Sequence, residues 1–255
     1  MKKQSRDSSL DRQEQEFLAS YDASQFPHPS VTVDVALVTA GGGRLNAVLI
    51  ERDEHPDRGK WSLPGGFVAM SESLDEAAAR VLETKVGLSG IFLEQLYTFG
   101  APDRDPRTRV ITIAYYALVD SSNVTENHLR KEGVRLAKLD VPWSGDRGGP
   151  VGIQYDDQKA LPLAFDHADI LGLVVKRLRG KLDYEPIGFE LLPREFTLRQ
   201  LQTIHETILG KSVNKDSFRR RMLASGLIAP TGKREADVGH RPAELYRFRR
   251  STVKR

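Results

Sequence analysis

The stretch GGFVAMSESLDEAAARVLETKVGL, residues 65–88, opens like a phosphate-handling catalytic motif and then sets Val81, Thr84 and Lys85 where carboxylates would be sought. At about 100° per residue these three share one helix face, whereas Glu76 and Glu83 fall on roughly the opposite side. Magnesium takes hard oxygen ligands and is repelled by a lysine ammonium, so neither a metal site nor a catalytic carboxylate set is expected. The two glutamates are expected to flank Arg80 in an exposed ladder at i−4 and i+3. Further on, RDPRTR concentrates Arg104, Arg107 and Arg109, whose planar forks suit phosphate oxygens or, alternatively, solvate a loop. Trp61 and Phe67 carry rings that could stack a purine or simply pack in a core.

Other chemistries drop out. The chain has no cysteine, which removes disulfides, thiolate catalysis and zinc–thiolate sites together. None of its six histidines makes an i, i+4 pair of the kind metal-binding helices use. The charge, by contrast, is informative. From Leu191 to Arg255 there are 15 Lys and Arg against 6 Asp and Glu, a net +9, while the preceding 190 residues hold 23 against 29, a net −6. A short basic region behind a larger acidic one points to a polyanion, most often nucleic acid.

The elements that must position these residues follow from periodicity. Residues 1–15 are polar and read as a flexible arm, with a short helical pattern in EQEFLASYD. VTVDVALVTA and RLNAVLIER flank GGG as a β-hairpin. SESLDEAAARVLETKVG rises through helix formers and stops at Gly87. IFLEQLYTFG and RVITIAYYALV read as strands around the arginine loop, WSGDRGGPVG as an irregular stretch, and LPLAFDHADILGLVVKRLRGKL as a helix closing the first domain. DYEPIGFELLPRE (183–195) reads as a linker, followed by two helices and two short strands around a basic loop. In the second of these helices, Phe218 and Met222 define a buried stripe. Arg220 then points opposite it, with Arg219 and Arg221 about 80° to either side of the stripe. The lysine-rich start has no apolar run behind it, and no segment approaches the roughly 18 apolar residues that span a bilayer, so a cytoplasmic protein with no membrane role is expected.

Gly66, Glu72, Arg80, Leu82, Gly87 and Leu88, preceded by WSLPGGFV, match the spacing of the Nudix box, whose three metal-binding glutamates are replaced here by Val81, Thr84 and Lys85. FTLRQLQTIHETILGKSVNKDSFRRRMLASGLIAPTG resembles the helix-turn-helix of a winged-helix domain, with GKREADVGHRPAELYRF as its wing. With LPLAFDH before the linker, SFRRR in the second helix and RPAELY in the wing, the chain resembles the Nudix-related transcriptional regulators of NAD metabolism from about Phe17 to Arg249. The resemblance implies an α+β architecture: an α/β/α Nudix sandwich over 16–182, a linker over 183–195 and a winged helix over 196–255. It implies a homodimeric repressor of NAD biosynthesis or salvage genes that binds a palindromic double-stranded operator. ADP-ribose or a related nucleotide is the implied effector, with no required cofactor. Lys211, Lys215, Ser217, Arg219, Arg220, Arg221, Lys233, Arg234, His240 and Arg241 are the expected DNA contacts, His240 standing where the family often has glycine. Trp61, Phe67, Arg80, Lys85, Arg104, Arg107 and Arg109 are the expected effector contacts. The alternative function is a Nudix pyrophosphatase cleaving ADP-ribose, with the tail as an accessory. An RNA-directed role is weaker, because the tail lacks aromatics interleaved with its basic residues.

Overall fold

Helix begins earlier than the sequence suggests. In the computed structural model, which describes residues 4–129, 133–155, 159–236, 239 and 241–249, α1 spans Gln4–Ser20 and so covers most of the stretch expected as a flexible arm. Its second half, RQEQEFLA, has good helix propensity, and Arg12 pairs with Glu16 one turn on at 3.1 Å. The side chains of 11–20 are all exposed, Phe17 and Leu18 included.

The sheet is built on β1 (Ser30–Gly41). Val33, Val35 and Leu37 face one layer and Ala36, Val38 and Ala40 the other, all buried, because successive residues of a strand point to opposite sides. The chain turns at Gly42 and Gly43 into β2 (Arg44–Glu51), in the antiparallel hairpin expected. Short strands β3 (Trp61–Ser62) and β4 (Gly65–Phe67) pair with β2 and β1 respectively. Helix α2 (Leu74–Val86) follows, opened by a capping box in which Ser73 and Glu76 satisfy each other's backbone N–H groups. It ends at Gly87. Strands β5 (Phe92–Phe99) and β6 (Val110–Leu118) come next, β6 parallel to β1, then a short α3 (Glu126–Leu129). Strands β7 (Val134–Asp140), β8 (Gly152–Tyr155) and β9 (Lys159–Ala160) complete the order β5-β6-β1-β2-β7-β8-β9. Helix α2 packs on one face, and α4 (His167–Lys181) on the other.

The C-terminal unit comprises β10 (Phe196–Thr197), α5 (Leu198–Leu209), α6 (Lys215–Ala224), β11 (Ile228–Arg234) and β12 (Glu244–Phe248), the strands in the order β10-β12-β11. The stretch expected as a linker is packed rather than loose. Ile187, Phe189, Leu191 and Leu192 are buried, and Phe189 stacks on Phe248 at 4.5 Å between ring centres. Each such side chain contributes roughly 1.5–3 kcal/mol by leaving water. The core on the α4 side of the sheet therefore runs without a break into Leu201, Ile208, Phe218 and Met222 of the C-terminal unit. Among the described residues, no helix is long and apolar enough to cross a membrane.

Candidate functional site

Two concavities gather the charged side chains. The first, of about 300 Å³, opens where β4, the end of β2 and the arginine loop meet. Lys85, Phe67, Arg104 and Arg107 line it, so four of the seven residues expected to hold an effector share one cavity. Trp61, Arg80 and Arg109 do not line it. Trp61 is buried in the core on the α4 side, Arg80 binds Glu72 and the Phe67 carbonyl, and Arg109 donates to the Ala101 carbonyl at 3.1 Å.

The cavity floor is an ion cluster that sequence reasoning missed. Arg104 is almost fully buried and bidentate on Asp166, at 2.9 and 2.7 Å, with Asp34 at 3.4 Å from the same guanidinium. Its charge thus holds two carboxylates rather than lying open to a ligand. Gly65 backs onto the Asp34 carboxylate so closely that a Cβ there would collide with it. His167 Nδ1 accepts the Leu63 N–H at 2.9 Å, which leaves the ring proton on Nε2, 3.7 Å from Asp34. Burial holds this imidazole below its ordinary pKa and so neutral. The exposed cations of the lining are Lys85 and Arg107, beside the exposed acids Glu51, Asp53 and Glu54. Arg107 is oriented by Asp105 at 3.0 and 2.7 Å and lies 6.0 Å from the centre of the half-exposed Phe67 ring. Arg52, stacked 4.7 Å from the Phe165 ring centre, adds a lining cation that was not among the expected contacts.

The second concavity is a groove of about 720 Å³ between α5, α6 and the β11–β12 wing. A capping box between Thr197 and Gln200 starts α5, and Asn214 caps α6 by accepting the Ser217 N–H at 2.9 Å. Glu206 accepts the Val213 N–H at 2.9 Å, which fixes the turn between the helices. Phe218 and Met222 are buried while Arg219, Arg220 and Arg221 are exposed, as the stripe predicts. Lys215, Arg219, Arg234 and Arg241 all line the groove, joined by Arg199 of α5. Its two acids are already engaged, Glu206 by Val213 and Gln202, and Glu244 by the Tyr246 hydroxyl at 2.6 Å. Among the described residues, Arg199, Lys215, Arg219 and Arg234 enter no ion pair. Lys233 instead pairs with Glu195 at 2.8 Å, Lys211 and Ser217 are exposed outside the groove lining, and His240 lies outside the described residues.

Comparison with known proteins joins the two sites. Residues 28–143 match the NUDIX domain, and residues 188–248 match the NrtR DNA-binding winged helix domain. The ADPR responsive transcriptional repressor NtrR of Acinetobacter baylyi is 37% identical over 237 residues, covering 92% of this chain and 88% of that protein. The chain belongs to the NrtR family. Shewanella oneidensis NrtR, solved in complex with a 27mer DNA, superposes with a TM-score of 0.72 at 32% identity, over 86% of this chain and 93% of that one. An ADP-ribose pyrophosphatase of Methanocaldococcus jannaschii is 30% identical over 145 residues, 56% of this chain and 72% of that protein.

The box of this NrtR-family chain does not fit the divalent cation that Nudix hydrolases use. Val81 is buried against Gly66, and the Thr84 hydroxyl donates to the Arg80 carbonyl at 2.7 Å. Lys85 places an ammonium on the cavity. Of the neighbouring acids, Glu72 and Glu76 are otherwise committed. Glu76 belongs to the capping box and not to the ladder expected from its spacing, and Arg80 reaches back eight residues to Glu72 at 2.6 Å. That guanidinium, with the Ala69 N–H, holds Glu72 down to about 2. Among the described residues, no three His, Asp or Glu side chains cluster to hold a metal.

Proposed function

We propose that this NrtR-family protein is a repressor of NAD biosynthesis or salvage genes, acting in the cytoplasm as a homodimer on a palindromic operator. Its Nudix body binds ADP-ribose or a close relative and does not hydrolyse it. The observation that carries the DNA-binding reading is the groove. Cations from α5, α6 and the wing converge there and outnumber its two acids, which are hydrogen-bonded within the protein, an arrangement that suits a run of phosphodiesters. Arg199, Lys215, Arg219, Arg234 and Arg241 hold one DNA strand by its backbone, and α6 enters the major groove with Arg220 outward. In a symmetric dimer the two α6 helices then meet half-sites about one helical turn, or a multiple of it, apart.

Lys85 and Arg107 take the pyrophosphate of the effector, and Phe67 offers an exposed face to the base. Lys85 supplies in fixed form the positive charge that a metal ion gives a Nudix hydrolase. Support for the effector class comes from the Acinetobacter relative, whose name describes it as ADPR responsive.

Fluorescence anisotropy on duplexes from upstream of NAD-pathway genes, with and without ADP-ribose, tests the reading. Operator binding at least about a thousandfold tighter than to a scrambled duplex, altered by ADP-ribose, is expected. Arg199→Ala should lower the slope of log affinity against log salt by about 1. Equal affinity for operator and scrambled DNA would refute specific regulation.

A further inference from the structure

One helix, α4, runs from the first cavity to the turn between α5 and α6. At the start of α4, Asp166 is the carboxylate held bidentately by Arg104, and His167 accepts the Leu63 N–H while facing Asp34. The residue before them, Phe165, has φ +50°, a left-handed conformation that a bulky side chain adopts only when its surroundings impose it. Those surroundings belong to the cavity. The Phe165 N–H donates to Asp57 at 3.0 Å, and its ring lies under Arg52.

At the far end, about 20 Å along a 15-residue helix, Arg179 enters the turn of the helix-turn-helix. Its Nε donates to the Ile208 carbonyl in the last turn of α5 at 2.8 Å. Another nitrogen lies 3.0 Å from where a Cβ on Gly210 would stand, at the left-handed residue that ends α5. The same guanidinium donates to the Gly145 carbonyl at 2.7 Å and stacks 4.8 Å from the Trp143 ring centre.

Between these ends the helix is packed along its length. Ile170, Leu171, Val174, Val175 and Leu178 are fully buried. Gly172 lies against the Gly149 carbonyl so closely that a side chain there would collide with backbone. A close-packed rod of this kind moves as a unit, so a displacement at Asp166 reappears at Arg179.

The geometry points to α4 as the element through which occupancy of the cavity reaches the DNA-binding helices. This rests on the reading that a nucleotide in the cavity alters operator affinity. A pyrophosphate drawn to Lys85 and Arg107 adds an anion beside Arg104, which already holds Asp34 and Asp166 with Asp105 close by. The Arg104–Asp166 pair then loosens, Phe165 relaxes from its left-handed conformation, and α4 shifts along its axis. Arg179 carries that shift into the turn between α5 and α6, and so changes how α6 is presented relative to the wing.

The test uses the full chain and Arg179→Gln, which touches neither the cavity nor the groove. ADP-ribose affinity is measured by calorimetry, and operator affinity by anisotropy with and without saturating ADP-ribose. The wild-type ratio of operator affinities is expected to lie in the range of about 5 to 150. Arg179→Gln should bind ADP-ribose as the wild type does and bring the ratio close to 1. An unchanged ratio at unchanged ADP-ribose affinity overturns the role of α4. A wild-type ratio of 1 overturns instead the reading of the cavity as an effector site. Trp143 supplies a second measurement should Arg179→Gln fold poorly. In a Trp61→Phe background, saturating ADP-ribose should shift Trp143 emission, and no shift counts against the coupling.

Discussion

His205 gives the C-terminal unit a built-in acid sensitivity. The imidazole is buried in α5, edge-on to the Phe218 ring at 4.9 Å between centres and close to Gly188 of the packed 187–191 turn. Burial, reinforced by the nearby Arg221 charge and only partly opposed by Asp183, holds its pKa down to about 4 against an ordinary 6.5. Between these values the unfolded chain takes up a proton that the folded chain refuses. Its contribution is therefore complete above about pH 7 and is lost as pH falls from 6.5 toward 4. At about 1.36 kcal/mol per pH unit the loss is roughly 2 kcal/mol by pH 5 and roughly 3 by pH 4. This is a large share of the 5–15 kcal/mol typical of a folded domain. Urea unfolding followed by circular dichroism at pH 7.5, 6, 5 and 4.5, on wild type and His205→Leu, isolates the effect, since other titrating groups are common to both chains. The wild type should lose roughly 2 kcal/mol more than His205→Leu between pH 7.5 and 5. Parallel curves would show that the imidazole is protonated in the folded protein and would sink the argument.

Other outcomes follow from the two sites. With Mg²⁺ or Mn²⁺ the protein should release no AMP from ADP-ribose, and turnover of roughly 1 s⁻¹ or more would falsify the loss of the metal site. Lys85→Ala should weaken ADP-ribose binding by about 1–3 kcal/mol in calorimetry, the range of a charge-assisted hydrogen bond, and unchanged affinity would remove Lys85 from the effector site. Arg220→Ala should cost about 1–3 kcal/mol on the operator and relax sequence preference. Arg219→Ala and Arg221→Ala should weaken all duplexes alike, each lowering the salt slope by about 1. An operator-to-scrambled ratio left intact by Arg220→Ala would reassign the base-reading residue.

Local signals in the sequence translated well into structure. The β1–β2 hairpin, the run of helix formers ending at Gly87, and the Phe218–Met222 stripe each depend on residues within a few positions of one another. What stayed hidden is long-range. Arg104 reads as a phosphate ligand because nothing near it in sequence announces Asp166, 62 residues later, which claims its guanidinium. Arg80 reads from sequence as pairing with Glu76 at i−4 and Glu83 at i+3, yet Ser73 holds Glu76, and a turn brings Glu72 back to Arg80. Strand β7 escaped notice because VRLAKLD sets the exposed Arg135 and the half-buried Lys138 among residues that are buried on both faces, which blurs the alternation. Arg199 could have been found, since it sits in the first turn of a well-capped helix at the basic end of the chain.

The unbroken core beneath the sheet, running from β1 through α4 and the 187–192 turn into α5 and α6, has a thermodynamic consequence for the molecule. Two modules that share one interior melt together, so calorimetry on the full chain should show a single transition whose van't Hoff and calorimetric enthalpies agree. A nucleotide held by Lys85 and Arg107 then raises the melting temperature of the recognition helix along with that of its own cavity, because any ligand selective for the native state stabilises everything that unfolds with it.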